Sequence, residues 1–365
     1  MASAVFETLH SLLVMCLEQS STGDLARLIL IRLEAQFGTD LVRNAFCYLE
    51  ASRFGMSEVE LIHALQINQT EWMPLFAGVR GMLNESAGLF NVSSHQMQVA
   101  IRARYFNDES TTRDIHRALI AFFNDGPSEH VSEMRCCMEL PFQMMQANEL
   151  RMLDDFLVDI GHVRYLLTDA SLARDLTDFW VQSNQGKVPE DLGPRYMESM
   201  ERYGPVLRKE VTARCEGGYD EVETAYHDLL SKLCAQVGTF LCTFYQYAGA
   251  AALHERALEI DRGRFAGQGM SERVAESMRR LANSQYLLGR YEPSMKNFTM
   301  ALAIYNHLLK KEPSLRVEYA QTLFEMASVA RYTEDPSRAR VQCLVALRTF
   351  REMLGEDNPR VASKA

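Results

Sequence analysis

The stretch Arg279–Tyr291, RRLANSQYLLGRY, decides how this chain is read. Its apolar residues recur at helical spacing. Yet a small Ala282 sits among larger neighbours, and Gly289 stands near the end. Ser294 follows Ala282 by 12 residues, and the pair Ala301–Leu302 begins 19 residues after it. The same steps occur on either side. Gly238, Ala250 and Ala257–Leu258 form one set; Ala327, Ala339 and Ala346–Leu347 form another. Successive sets lie 44 residues (238 to 282) and 45 residues (282 to 327) apart.

Such spacing has a physical meaning. Two antiparallel helices approach closely only where side chains are small. Gly238, Ala282 and Ala327 then belong to the first helix of each pair. Ala250, Ser294 and Ala339 face them from the second, and Ala257, Ala301 and Ala346 let the next pair stack. Larger residues such as Phe298 fill the remaining holes at native packing density. One pair alone cannot bury its apolar face, so the expected architecture is a solenoid of stacked pairs.

Residues Leu281–Ala282, Gly289, Tyr291, Ser294, Phe298 and Ala301 fall at the signature positions of the tetratricopeptide repeat, and the unit length resembles the longer form found in kinesin light chains. The first unit departs at His254 and the third at Cys343, where a bulky apolar residue is usual. Tyr245 and Glu334 stand where Gly289 stands in the second unit. The stretch GEDNPRVA, 355–362, resembles an inter-repeat linker opening another helix, so the array is expected to stop short of its natural end. The resemblance implies that the first helices line a concave, partner-binding groove. By position, Lys232, Thr239, Arg279, Asn283, Tyr286, Ser328, Arg331 and Tyr332 are expected to face it, with Asn, Arg and Tyr available to hydrogen-bond a peptide or partner helix.

Outward from the repeats, helical periodicity continues to the N-terminus. DLARLILIRLEAQ (24–36) and DLVRNAFCYLEAS (40–52) keep apolar residues at i, i+3, i+4 and i+7. GMSEVELIHAL carries Ser57 and Glu60 in capping-box register. A helix is expected over 71–83, with Pro74 in its first turn. GLFNV alternates like a short strand, and helices resume at 95 and 110. Three helices, a β element and two helices over 38–123 suit a winged-helix-like module. Short helices are expected over 129–184, broken at His162–Leu166 and at Asp169–Ala170. PEDLGP (189–194) and CEGGYD (215–220) read as turns or linkers. The expected fold is all-α. Its divisions are N-terminal helices (1–37), the winged-helix-like module (38–123), a helical linker domain (124–221) and the tetratricopeptide repeats (222–365).

The segment LILIRLEAQFGTDLVRNAFCYLEASRFGMSEVELIHAL, with WMPLFAGVRGML, GLFNVSSHQMQVAIRARYF and ELPFQMMQANELRMLDDFLVDI after it, resembles the region that follows the NACHT-type nucleotidase in nephrocystin-3-like signalling ATPases. The match rests on the order of these segments over most of the chain. It implies a regulatory, partner-sensing arm whose module packs on a nucleotidase lying outside this sequence. A ciliary association comes only from that resemblance. No G-x-x-x-x-G-K-[ST] loop occurs anywhere in the chain, so no nucleotide-binding residue can be assigned.

Other chemistry finds little support. The nine histidines (10, 63, 95, 116, 130, 162, 227, 254 and 307) are scattered, and HERAL (254–258) is not H-E-x-x-H. GLFNVSSHQM lacks G-x-S-x-G, and Ser94 suits a helix cap. The Asp154–Asp155 and Glu356–Asp357 pairs read as solvated faces. Eight cysteines form no C-x-x-C and fit reduced, buried thiols of a cytoplasmic protein. With 38 basic against 48 acidic residues the net charge is −10, which disfavours nucleic acid and anionic membranes as partners. The 38–123 module holds seven arginines, no lysine and nine acidic residues. A DNA-reading winged helix, which needs several phosphate contacts, is therefore the least favoured function. The apolar run at 12–17 is too short to span a bilayer. The expectation is a non-catalytic protein-interaction scaffold with no cofactor and no metal.

Overall fold

The computed structural model describes residues 14–125, 131–215, 218–265, 271–333, 336–355 and 358. His10, His130, Glu334, the Glu356–Asp357 pair, most of GEDNPRVA and the middle of the 263–272 glycine stretch lie outside the described residues. Among the described residues the regular structure is helical apart from one hairpin, and the chain divides into two compact units. One comprises Met1–Leu157 with Arg174–Gln185; the other comprises Val158–Ala173 with Gly186–Ala365.

The first unit opens with α1 (Thr22–Phe37), α2 (Thr39–Ala51), α3 (Glu58–Leu65) and α4 (Gln69–Val79). The expected capping box forms: the Ser57 hydroxyl accepts from the Glu60 N–H at 3.1 Å, and Glu60 accepts from the Ser57 N–H at 2.8 Å. A second box, Asn68 with Glu71, starts α4 two residues earlier than the periodicity predicts. Pro74 thus lies beyond the first turn. The helix also ends sooner. Arg80–Met82 is a 3-10 turn, and Leu83–Ser86 is a strand, β1, antiparallel to β2 (Leu89–Val92). The polar LNES gives no strand signal of its own; pairing with LFNV makes it one. Then follow α5 (His95–Tyr105), α6 (Glu109–Asn124), α7 (Glu133–Gln146) and α8 (Leu150–Val158). Buried Phe46, Leu61, Trp72, Leu75, Ile101 and Phe123 form the core.

Polar groups tie this unit together over long sequence distances. Glu139 of α7 is fully buried. Its carboxylate accepts from the Arg53 N–H (3.1 Å), the Phe54 N–H (3.0 Å), the Arg135 guanidinium (2.7 Å) and the Gln143 amide (2.9 Å). Arg135 also reaches Glu60 and the Gly55 carbonyl, and it lies 5.3 Å over the Phe123 ring. Gln143 donates to the Ala51 carbonyl at 3.0 Å and accepts from His116 Nδ1 at 2.6 Å. The Arg53 side chain pairs with Asp175 at 2.7 Å, among Phe54, Phe142 and Phe179. That contact brings the 174–185 segment into the first unit.

The second unit begins with α9 (Ile160–Leu166), whose first residue donates its backbone N–H to the Ser199 hydroxyl oxygen at 3.0 Å. The break expected at His162–Leu166 is in fact this helix. Asp159 caps it, accepting from the Gly161 N–H at 2.8 Å, and supplies a start signal that Gly161 obscures in the pattern. Next come α10 (Ala170–Ser183), whose residues from Arg174 onward belong to the first unit, and α11 (Leu192–Arg214). Gly193 and Pro194 open α11 rather than a linker.

Three helix pairs then stack: α12 (Tyr219–Thr243) with α13 (Tyr247–Phe265), α14 (Glu272–Leu287) with α15 (Tyr291–Leu308), and α16 (Arg316–Thr333) with α17 (Pro336–Leu354). Ala250, Ala257, Ala282, Ala301, Ala327, Ala339 and Ala346 are all buried. The small residue of α15 does more than fit, because the buried Ser294 hydroxyl donates to the Ala282 carbonyl at 2.7 Å. One core cluster joins Ala282, Phe298, Ala320, Leu323, Ala346 and Phe350; another joins Ala251, Leu258, Ala275, Met278, Leu281, Ala301 and Tyr305. Both clusters bridge successive pairs, as a solenoid requires.

Gly289 explains its own presence. It adopts φ +75°, and the Arg290 N–H closes back on the Gln285 carbonyl at 2.8 Å. Tyr245 makes the same turn with φ +61°, and the Gln246 N–H bonds the Leu241 carbonyl at 3.1 Å. A left-handed conformation costs a non-glycine residue about 1–2 kcal/mol. Tyr245→Gly is therefore expected to raise the unfolding free energy by up to about 1 kcal/mol, once the entropy glycine adds to the unfolded chain is subtracted. Urea unfolding reads this out; a clear loss of stability would show the Tyr245 ring to be a packing residue.

Candidate functional site

The first helices α12, α14 and α16 lie side by side and present the expected binding residues unequally. Lys232, Thr239, Arg331 and Tyr332 are exposed; Arg279, Asn283, Tyr286 and Ser328 are half-buried. A pocket of about 220 Å³ between α12 and α14 is lined by Thr239, Arg279 and Asn283, together with Cys242, His254 and Arg280. Lys232, Tyr286, Ser328, Arg331 and Tyr332 do not line it.

Arg279 has a structural occupation. Its guanidinium bonds Glu276 at 2.8 and 2.9 Å and Glu325 of α16 at 2.7 and 2.9 Å. Burial works to raise the Glu276 carboxyl, but Arg279 and Arg280 outweigh it and hold the pKa at about 2. Arg279 is thus a strut between the second and third pairs. Arg280 spends only its Nε on Glu276, at 2.8 Å. The hydroxyls of Thr239 and Ser328 bond back to the Ala235 and Phe324 carbonyls of their own helices.

His254 is the residue the repeat pattern marks as out of place. It is 2% exposed and occupies in α13 the slot that Phe298 occupies in α15. A Cβ on Gly238 would stand 2.6 Å from His254 Nε2, so the glycine makes the room that the imidazole fills. Nε2 lies 3.2 Å from the Ala235 carbonyl and Nδ1 lies 2.7 Å from the Ser284 hydroxyl. A carbonyl only accepts, which fixes the neutral tautomer: Nε2–H donates, and Nδ1 accepts from Ser284. Burial pushes the imidazole pKa down to about 4; the Ala235 carbonyl opposes this, and Arg280 and Arg279 add to it. Cys242 Sγ lies 3.7 Å from the Ser284 hydroxyl. Its pKa is raised, mainly by burial, so this is not an activated thiol. Burial pushes Cys47 up to about 12 and Cys136 and Cys234 to about 11. All eight cysteines are free thiols.

Among the described residues no group of His, Cys, Asp and Glu side chains could hold a metal ion, and no helix is long and apolar enough to cross a membrane. The pocket offers Asn283, the terminal amino groups of Arg280 and a largely aliphatic wall.

No family model matches the sequence, and no curated protein matches it. Among solved structures, a Signal Transduction ATPase with Numerous Domains (STAND) protein with a tetratricopeptide repeat sensor, from Pyrococcus horikoshii, aligns at 10% identity with a TM-score of 0.31. The alignment covers 95% of this chain, which spans 61% of that protein's length.

Proposed function

We propose that the repeat stack is a protein-interaction scaffold whose first-helix face holds an extended segment or helix of a partner protein. The observation that carries this reading is the pocket where Thr239, Asn283 and Arg280 converge across two successive pairs. Asn283 supplies both donor and acceptor, as an extended backbone needs. Lys232, Tyr286, Ser328, Arg331 and Tyr332 extend the surface along the stack, while Arg279 maintains its shape. The scaffold carries no catalysis of its own and works in the cytoplasm.

The order of segments resembling nephrocystin-3-like ATPases supports a narrower version. There this chain is the regulatory and partner-sensing part of a NACHT-type signalling ATPase, with the nucleotidase on a separate stretch of sequence. The helix–hairpin–helix order of 38–123 supports a winged-helix-like module, and the proposed divisions remain 1–37, 38–123, 124–221 and 222–365.

Affinity capture with the full chain tests the main reading. Asn283→Ala is expected to weaken a direct partner about fivefold or more without changing the melting temperature, since one buried hydrogen bond is worth about 1 kcal/mol. Equal recovery by wild type and variant would sink the pocket assignment. Arg279 is unsuitable for this purpose, because its loss would also loosen the stack.

A further inference from the structure

Helix α17 is apolar on two opposite sides. Ala339, Ala346 and Phe350 are buried against the stack. On the other side Val341, Leu344 and Val345, spaced i, i+3 and i+4, are 59%, 56% and 48% exposed. The earlier second helices do not share this outward stripe. Its counterparts one unit back are Lys296, Thr299 and Met300 of α15, and two units back Ala252, Glu255 and Arg256 of α13. Stacking of pairs does not use the stripe either. Lys296, Thr299 and Met300 stay exposed although a further pair follows α15. Single exposed apolar residues are ordinary, but a contiguous group of them marks a contact. A helix that is apolar on both sides is one covered on both. Charge frames the stripe. Helix α17 contains four arginines and one acid, Glu352, in a chain of net charge −10. Arg340 lies one turn before Leu344, Arg348 one turn after it and Arg351 about a turn further on, all exposed. Glu352 is bound to Arg348 at 2.8 Å, and the Arg348 side chain is still 82% exposed.

We propose that the outward face of α17 docks an acidic amphipathic helix of a partner protein. Its apolar residues cover Val341, Leu344 and Val345, and its carboxylates meet Arg340, Arg348 and Arg351. The contact goes beyond the first-helix groove and does not depend on it. It is confined to α17, because the matching face of α15 is largely polar. The stripe runs along a helix axis, as the i, i+3, i+4 anchors of a second helix require. An extended segment would bring unpaired backbone N–H groups to a surface whose one carboxylate is already held by Arg348. A helix has satisfied its own backbone and needs side-chain contacts alone. A second copy of α17 would set arginines against arginines. An anionic bilayer would attract the arginines, but the net charge of −10 opposes its approach and the stripe holds no aromatic anchor.

The test is anisotropy titration of the full chain into two labelled amphipathic helical peptides, one with a leucine stripe flanked by glutamates, the other with lysines in their place. The glutamate peptide is expected to bind saturably, more weakly as salt is added, and at least about tenfold tighter than the lysine peptide. Leu344→Gln should weaken the glutamate peptide about tenfold. Arg340→Glu combined with Arg351→Glu should do the same and strengthen the lysine peptide, a reversal that loss of fold cannot produce. All three positions are exposed, so the melting temperature should not change. Asn283→Ala should bind the glutamate peptide as the wild type does. No saturable binding, equal affinity for the two peptides, or wild-type affinity in the variants would overturn the proposal while leaving the groove reading intact. Loss of binding in Asn283→Ala would overturn it by moving the peptide to the groove. Self-association in sedimentation equilibrium that Leu344→Gln abolishes would give the face to a second copy instead. Flotation with phosphatidylserine vesicles that Leu344→Gln abolishes would give it to a membrane.

Discussion

Glu139→Ala is expected to lower the unfolding free energy of the first unit by about 3–5 kcal/mol, the cost of removing one side of a buried ionic cluster. Glu139 is 0% exposed and receives four donors from two segments of chain. Truncation leaves the Arg53 and Phe54 N–H groups without their acceptor and takes from the Arg135 guanidinium one of its two carboxylate partners. No water can easily replace a carboxylate that joins α7 to the loop after α2. Glu139→Gln keeps the volume and an acceptor, so it should cost less, about 1–3 kcal/mol. Urea unfolding followed by circular dichroism measures both. A loss below about 1 kcal/mol for the alanine variant would show that the loop and α7 are held by packing alone.

The second large effect is a pH dependence centred on His254. Its folded pKa of about 4 lies below the ordinary histidine value of 6.5. The unfolded chain therefore binds the proton first, and folding is penalised as pH falls. The full contribution is present above about pH 6.5 and is lost progressively between 6.5 and 4, to a total of about 3 kcal/mol. Carboxylates titrate over part of the same range, so the comparison must be with His254→Leu, which fills the same slot without titrating. The wild type should lose more stability than this variant between pH 6.5 and 4. Parallel pH profiles would show that the imidazolium is accommodated, with Ser284 turning to accept from it.

The repeat was legible because packing between neighbouring helices is written in local spacing. Gly238, Ala282 and Ala327 had to be small, and the 19-residue step to Ala257, Ala301 and Ala346 placed the next contact. What was not legible depended on partners far along the chain. Glu139 looks like a stray charge in CCMELPFQMM; its acceptor role needs Arg53 and Phe54, 86 and 85 residues away. The bracing role of Arg279 could not be read because its partner Glu325 lies 46 positions on. The strand at Leu83–Ser86 exists only by pairing. His254 was different. A histidine in an apolar slot, opposite the one glycine at the close-packing position, signalled a compensated pair. The same logic would have drawn Cys242 and Arg280 into the candidate site.

The claim that the first-helix face is the partner-binding surface is tested most directly by site-specific photo-crosslinking. A photoreactive residue at Asn283, in the pocket between α12 and α14, is expected to give a discrete adduct with a bound partner. The same residue at Thr299, exposed on second helix α15, is expected to give none. Adducts from Thr299 with none from Asn283 would place the partner on the opposite face and contradict the account.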